Sequence, residues 1–337
     1  DVRRVLSDGW KPAREAADRI AGAGRVFVVG IGTSYHAALM GGWLLRAAGM
    51  DARAVSSFDF ATYPDNVGLR SADAVVVMAH TGVKSYSARS LEMAANADAA
   101  VVSIGSQAAE HPGSQLILRT IERERSAAYT SSHITAMTVL AQVATELGEG
   151  RGAPGVSGFR TALQALPEQI AGVLAREDEV LPISRDAVER RIYACGAGPN
   201  EIAAIEAVIK VREAAYGWID ALATEQFLHG PMVAVNEGDL NIVVNVAGSA
   251  SATRVAEVTA TLNGFGSKLW LVGQGVAAVP DAPVFALPET EELISPLLAT
   301  VPLQILAYQM AVHKGLNPDT FRRDNPRYME AFGLLKL

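Results

Sequence analysis

The chain carries the same short unit twice. Residues 26–36 read Val-Phe-Val-Val-Gly-Ile-Gly-Thr-Ser-Tyr-His, and residues 192–202 read Ile-Tyr-Ala-Cys-Gly-Ala-Gly-Pro-Asn-Glu-Ile. Each is an apolar run, a Gly-x-Gly turn and the start of a helical pattern. Two strand–turn–helix units half a chain apart predict a duplicated α/β fold, because solenoid repeats are far shorter. A glycine turn that feeds a helix N-terminus also predicts a seat for an anion. Backbone N–H groups converge there, and the helix dipole favours negative charge.

The first copy alternates between strand and helix. Apolar runs at Val26–Gly30, Ala52–Ser56, Ala74–Met78 and Ala99–Ile104 are separated by helical patterns such as Ser34–Gly49 and Tyr86–Asn96. Runs without polar alternation predict a parallel sheet covered on both faces. A long helix is predicted from about Ser132 to Leu147. The glycine-dense stretch 148–158 that follows predicts a linker, and Phe159–Leu174 a connecting helix. In the second copy, Arg191–Cys195, Leu240–Val246 and Lys268–Val272 read as strands. The expected organisation is a first domain at 1–150, a linker and connecting helix at 151–180, and a second domain at 181–337.

Composition removes several classes. Half the chain is apolar, so a large core is available, and the net charge is -7 with no basic block. That argues against nucleic acid as a partner. Cys195 is the single cysteine, so no intramolecular disulfide forms, and a cytoplasmic location is expected. No signal-peptide pattern is present, and the chain opens on Asp1 without a Met, so preceding sequence is expected. The longest apolar stretch, Leu293–Val312, is broken by polar residues and prolines. It reads as a buried helix beginning near Pro302, with no membrane span.

The turns carry the candidate chemistry. In Gly30-Ile-Gly32-Thr33-Ser34, the glycines allow close approach and the hydroxyls can donate to an anion. A dinucleotide is disfavoured: Tyr35 replaces the third glycine, and Ser56-Ser57 ends the next strand where an acid belongs. A tight turn without ligand is the plain alternative. The loop Ala79-His80-Thr81-Gly82-Val83-Lys84-Ser85 follows the strand at 74–78. Lys84 at a helix start opposes the macrodipole, which a bound anion would explain. A solvated lysine is the alternative. Tyr129-Thr130-Ser131 precedes the long helix and offers either ligand contacts or N-capping by Thr130 or Ser131.

The second copy lacks these donors. Its loops read Gly196-Ala-Gly-Pro-Asn200 and Ala247-Gly-Ser-Ala-Ser251. Its first helix instead carries Glu206, Lys210 and Glu213 on one face. Such a stripe is ordinarily a surface ion-pair ladder, but Ile205, Val208, Ile209 and Val211 leave little of this helix to face water. His229-Gly-Pro231 presents a histidine on a fixed backbone. No His-Glu-x-x-His or paired-cysteine set is present, so no metal and no cofactor are expected.

Four motifs in order resemble the SIS (sugar isomerase) domain family. They are Gly32-Thr-Ser-Tyr-His36, Glu206-x3-Lys210-x2-Glu213, His229-Gly-Pro231 and Thr300-Val-Pro-Leu-Gln-Ile-Leu-Ala-Tyr308. From about residue 20 to 320 the chain is similar to the isomerase half of glutamine:fructose-6-phosphate aminotransferases. The tail is similar to stand-alone glucosamine-6-phosphate deaminases and phosphosugar isomerases. The resemblance implies two tandem SIS domains, each a three-layer α/β/α unit of flavodoxin type. It implies that Ser34 and the Thr81 loop hold a sugar phosphate and that Glu213 shuttles a proton between C1 and C2. Lys210 matches a lysine near that glutamate, and His229 matches a residue that reaches the partner protomer's site and assists ring opening. A homodimer is therefore implied, with Arg322 matching a family arginine.

Departures from the family pattern narrow the reading. The phosphate loop Ser-x-Ser-Gly-x-Thr has become Ala79-His80-Thr81-Gly82-Val83-Lys84, and Ser-Thr-Lys has become Tyr129-Thr130-Ser131. Pro326 stands where the aminotransferases carry a Schiff-base lysine, and no glutaminase half lies within these residues. The expected function is a metal-independent isomerase/deaminase of a C6-anionic sugar, glucosamine-6-phosphate foremost. Isomerisation of another phosphorylated or sulfonated sugar, or sugar-phosphate sensing without catalysis, are the alternatives.

Overall fold

The computed structural model describes residues 1–246, 248–276 and 279–335. Ala247, the first residue of the second copy's polar loop, lies outside them. The chain forms two parallel five-stranded sheets flanked by helices. The first contains β1 (Val26–Gly30), β2 (Ala52–Ser56), β3 (Ala74–Met78), β4 (Ala100–Gly105) and β5 (Leu116–Arg119), in the order β2-β1-β3-β4-β5. The second contains β6 (Ile192–Gly196), β7 (Ile219–Ala223), β8 (Leu240–Val246), β9 (Lys268–Gln274) and β10 (Val284–Ala286), in the order β10-β9-β8-β6-β7. Counted within its own half, each sheet reads 2-1-3-4-5. That order places a switch point between the first and third strands, where the turns after them open at one edge. In the first sheet those turns are Ile31–Gly32 and Ala79–Lys84.

Two compact units result. One comprises Asp1–Arg125, Tyr129–Pro167 and Arg322–Leu337; the other comprises Ser126–Ala128 and Glu168–Phe321. In the first, α1 (Val2–Ile20), α2 (Thr33–Ala47), α3 (Ser85–Asn96) and α4 (Ser131–Arg151) accompany the sheet; the division between the units falls within α5 (Phe159–Leu174), after Pro167. In the second, α6 (Glu201–Ala215), α7 (Ala252–Gly264) and α8 (Ser295–His313) do so; the short α9 (Pro326–Phe332) belongs to the first unit's C-terminal segment. Strands β1, β3 and β6 are buried along their whole length, as continuous apolar runs require.

Both glycine turns are built on one backbone device. A Cβ added to Gly30 would meet Ser34 O at 2.4 Å, and one added to Gly196 would meet Asn200 O at 2.3 Å. Gly32 and Gly198 follow at φ +58° and +56°, a left-handed conformation that favours glycine. The duplication seen in the sequence is thus repeated in backbone geometry.

Two sequence expectations are corrected. The glycine-rich stretch at 148–158 is not an open linker. Helix α4 runs through Gly148 and Gly150 to Arg151, Pro154–Val156 forms a 3-10 turn, and Val156 is buried. Here glycine permits contact rather than freedom. A Cβ on Gly148 would meet Val156 Cγ2 at 2.4 Å, and one on Gly155 would meet Ala47 O at 2.6 Å. The late apolar helix begins at Ser295, not near Pro302. Pro296 sits in its first turn, where a missing N–H costs nothing, and Pro302 lies inside. This helix is long and apolar enough to cross a membrane, yet 83% of its most apolar window is buried in the structure, and it packs on α6.

Candidate functional site

In the second unit, the Glu206–Lys210–Glu213 stripe turns inward. Lys210 and Glu206 side chains are 2% and 0% exposed, and that of Glu213 is 31% exposed. Lys210 Nζ lies 3.4 Å from Glu206 Oε1 and 3.1 Å from Glu213 Oε2. It also donates to Ala128 O, which belongs to the same compact unit. The surface-ladder alternative therefore fails. A buried ammonium persists only when paired and hydrogen-bonded, and here two carboxylates and a carbonyl surround it. At an effective dielectric near 20, each close pair is worth about 4 kcal/mol before desolvation. The outcome is one shielded carboxylate, one buried cation and one carboxylate that reaches solvent. That arrangement suits a base that takes a proton from a ligand and returns it.

His229 stands apart from this group. Its side chain is 70% exposed, with Nε2 3.0 Å from Glu225 Oε1. Arg254 also grips Glu225, and Arg254 and His229 together hold that carboxyl down at about 2. Asn200, in the position corresponding to Ser34, is buried and donates from Nδ2 to Ser295 Oγ at 3.1 Å. Cys195 is buried, and burial pushes its thiol up to about 12, so it is no nucleophile near neutrality.

In the first unit, the Gly32 turn and the loop at 79–85 follow the neighbouring parallel strands β1 and β3 at the carboxyl edge of the sheet. Gly32, Thr33 and Ser34 open α2, and Tyr35 and His36 N–H groups donate to Gly32 O. Gly82 has φ +95°, so the second loop bends sharply before Lys84 and Ser85, both exposed, begin α3. Lys84 N–H donates to Ser87 Oγ at 3.0 Å. His80 is half-buried, packs edge-on against Tyr129 and accepts from Glu124 N–H at 3.4 Å. Burial pushes the His80 ring below the usual histidine range; Glu124 pulls it back and Arg123 adds to the push.

Glu124 is the residue that sequence reasoning missed. Its carboxylate accepts from Thr130 N–H and Thr130 Oγ1, each at 2.9 Å, from Ser131 N–H at 3.2 Å and from Ser132 N–H at 2.9 Å. Thr130 makes no side-chain cap of its own, and Ser131 Oγ donates to Asp1 Oδ2 at 2.8 Å. N-capping by Thr130 or Ser131 is therefore replaced by capping from Glu124. Burial pushes the Glu124 carboxyl up, but the bonds from Ser132 and Thr130 outweigh it and hold it below the usual range. An acid six residues ahead of the cap lies outside the short capping patterns that a sequence displays. A cleft of about 570 Å³ beside it is lined by Asp1, Arg4, Gln107, Glu122, Glu124 and Ser131 among others. Three acids against one arginine make it a poor anion seat.

Arg322 pairs locally in the C-terminal segment. Its Nη1 donates to Tyr328 OH at 2.9 Å, and the guanidinium lies 4.6 Å over the Tyr328 ring. Pro326 opens α9 beneath an Asn325 cap, so this position offers no amine. Among the described residues, no group of three or more histidine, cysteine or acidic side chains is placed to hold a metal.

Comparison with known proteins bears out the resemblance to the SIS domain family. An SIS domain matches residues 19–146. The glutamine–fructose-6-phosphate aminotransferase (isomerizing) of Pyrococcus horikoshii is 27% identical over 324 residues, covering 94% of this chain and 54% of that enzyme. The chain spans about half the length of the curated relatives it matches. Among solved structures, the C-terminal domain of glucosamine-fructose-6-phosphate aminotransferase from Francisella tularensis superposes with a TM-score of 0.82 at 18% identity, covering 94% of this chain and 96% of that one. Glucosamine-6-phosphate deaminase from Thermotoga maritima superposes with a TM-score of 0.72 at 19% identity, covering 95% and 96%. At these identities the superpositions establish the fold.

Proposed function

We propose that this chain, with its resemblance to the SIS domain family, is a metal-independent aldose–ketose isomerase and deaminase of a C6-anionic sugar, with glucosamine-6-phosphate as the first candidate. The observation that carries the reading is the buried Lys210 between Glu206 and the part-exposed Glu213. Glu213 takes the C2 proton of the open-chain sugar and returns it at C1. Lys210 stabilises the negative charge that develops on the enediolate oxygen. Water then releases ammonia from the fructosimine, which needs no Schiff-base lysine and agrees with proline at position 326. Gly32, Thr33, Ser34, His80, Thr81, Lys84 and Ser85 hold the anion, with Tyr129, Thr130, Ser131 and Arg322 completing the contacts. Thr130 and Ser131 reach a ligand only by exchanging their present acceptors, Glu124 and Asp1.

The reading extends to organisation. It takes residues 1–150 and 181–337 as two SIS domains joined through 151–180. It takes the active form as a cytoplasmic homodimer in which His229 serves the partner protomer's site, an assignment that agrees with its exposure. Neither nucleic acid nor membrane is a partner.

The test is a panel of C6-anionic sugars in deuterated water, phosphorylated and sulfonated, with C2 exchange and ammonia release followed together. Exchange with ammonia identifies a deaminase, and exchange alone an isomerase. Binding without exchange identifies a sensor. Glu213→Gln lowers turnover by at least about a hundredfold while the sugar still binds; near-full activity in that variant defeats the mechanism.

A further inference from the structure

Behind the turn Ala79–Gly82 lies a line of polar side chains that this chemistry does not use. His111 is 3% exposed and Ser103 is fully buried. His111 Nε2 lies 2.8 Å from Ala79 O, and Nδ1 lies 2.7 Å from Ser103 Oγ. Ser103 Oγ lies 2.8 Å from Ser114 Oγ, which lies 2.8 Å from Leu116 O.

Hydrogens can be counted along this line. Both ends, Ala79 O and Leu116 O, are carbonyls and only accept. The four contacts therefore need four hydrogens. Ser103 and Ser114 bring one each, and a neutral imidazole brings a third. A neutral ring leaves one contact in which two lone pairs face each other inside the fold, an expensive state for a buried polar group. The imidazolium fills all four.

We propose that His111 is a positioning residue for the loop Ala79–Ser85, and that its second ring proton completes the chain which holds Ala79 O in place. The proposal rests on the reading that this loop grips the sugar's anion. Ala79 O also accepts Gly82 N–H at 3.3 Å, so one carbonyl organises the turn that carries His80 and Thr81. The ring's seat is closely fitted: a Cβ on Gly105 would meet its Cε1 at 2.6 Å. The charged group that acts on the ring is Arg119 on β5; the exposed Glu110 precedes it in sequence, and the loop it supports carries His80 and Lys84. Burial pushes the ring below the usual histidine range, Ala79 O pulls it back and Arg119 adds to the push. The filled chain therefore belongs to acidic solution and the frustrated one to neutral solution. Loop order and anion affinity fall as pH rises between them.

Ser114→Ala supplies the decisive test. It removes two contacts and one hydrogen, so the two contacts that remain are filled by a neutral ring and Ser103. Nitrogen NMR of the His111 ring from about pH 5 to 8 shows its midpoint drop by about one unit in this variant. Ser103→Ala repeats the test should Ser114→Ala misfold. In the wild type, affinity for glucose 6-sulfate, whose charge is constant over this range, falls about fivefold on going from acid to neutral. That step shares the ring's midpoint and vanishes in Ser114→Ala. An unmoved midpoint in the variants, or an affinity step at a different pH, overturns the proposal. If neither glucose 6-sulfate nor glucosamine-6-phosphate binds at any pH, the functional reading fails and the coupling to binding fails with it. The ring titration then still decides whether the proton chain exists.

Discussion

The two glycine turns share a backbone and differ in what their side chains do. Gly30 and Gly196 both lie against the carbonyl four residues on, and Gly32 and Gly198 share a left-handed conformation. In the second copy, Asn200 is buried and tied to Ser295. In the first, Ser34 stands half-exposed at the equivalent place. The helices that follow differ as well: α6 carries the buried Lys210 cluster, and α2 buries no charged side chain. The glycines therefore report how strand and helix join, whichever chemistry follows. A Gly-x-Gly turn alone is weak evidence for a ligand, and the residue four places after its first glycine is the better witness.

Lys210→Met strands two carboxylates, one fully buried, and costs about 3–5 kcal/mol in urea unfolding; a loss within error would place the charge cluster in water. Gly30→Ala and Gly196→Ala each cost about 2–3 kcal/mol by the same measurement. Equal losses sharpen the claim that the two turns are structurally equivalent, and a loss at one alone ends it. Asn200→Ala costs about 1–3 kcal/mol, whereas Ser34→Ala leaves unfolding unchanged and weakens sugar binding. Equal stability losses at the two positions would erase the division between a structural copy and a ligand copy.

Smaller effects follow at the first unit's edge. Glu124→Gln costs about 1 kcal/mol near neutral pH. The Glu124 carboxyl sits lower in the folded chain than in the unfolded one, so its contribution is present above the unfolded value, near about 4.3. It fades as pH falls through the folded value, and wild type and variant converge in acid. A difference that persists there would locate the cap elsewhere. His229→Ala, with its exposed ring, leaves the melting temperature in place while lowering turnover.

Much of this was legible in the residues. Buried parallel strands announce themselves as apolar runs, and β2, β3 and β8 match their sequence bounds. The strands that escaped notice are β5, β7 and β10, all at sheet edges and only partly buried; β5 and β7 mix polar with apolar residues, and β10 is a three-residue run too short to show a pattern. Helix α1 is disguised by Gly9 and Pro12 within it. The inward stripe of α6 was legible because apolar neighbours left it no outer face. Glu124 and His111 were not, because each acts on backbone atoms that sequence spacing does not identify. The glycines at 148 and 155 misled for a related reason: composition records the absence of a side chain but not the Val156 and Ala47 atoms that occupy its place.

One feature of the first unit bears on how the protein is made. Its compact body gathers residues up to Pro167 and then again from Arg322. A chain leaving the ribosome can therefore assemble the first sheet early, but this unit receives its segment from Arg322 only after the second sheet has been made. For the same reason, a truncation series that shortens residues 1–335 from their far end trims the first unit before it shortens the second sheet. Fragments meant to isolate either unit call for a tether that returns 322–335 to the first, not for a single cut.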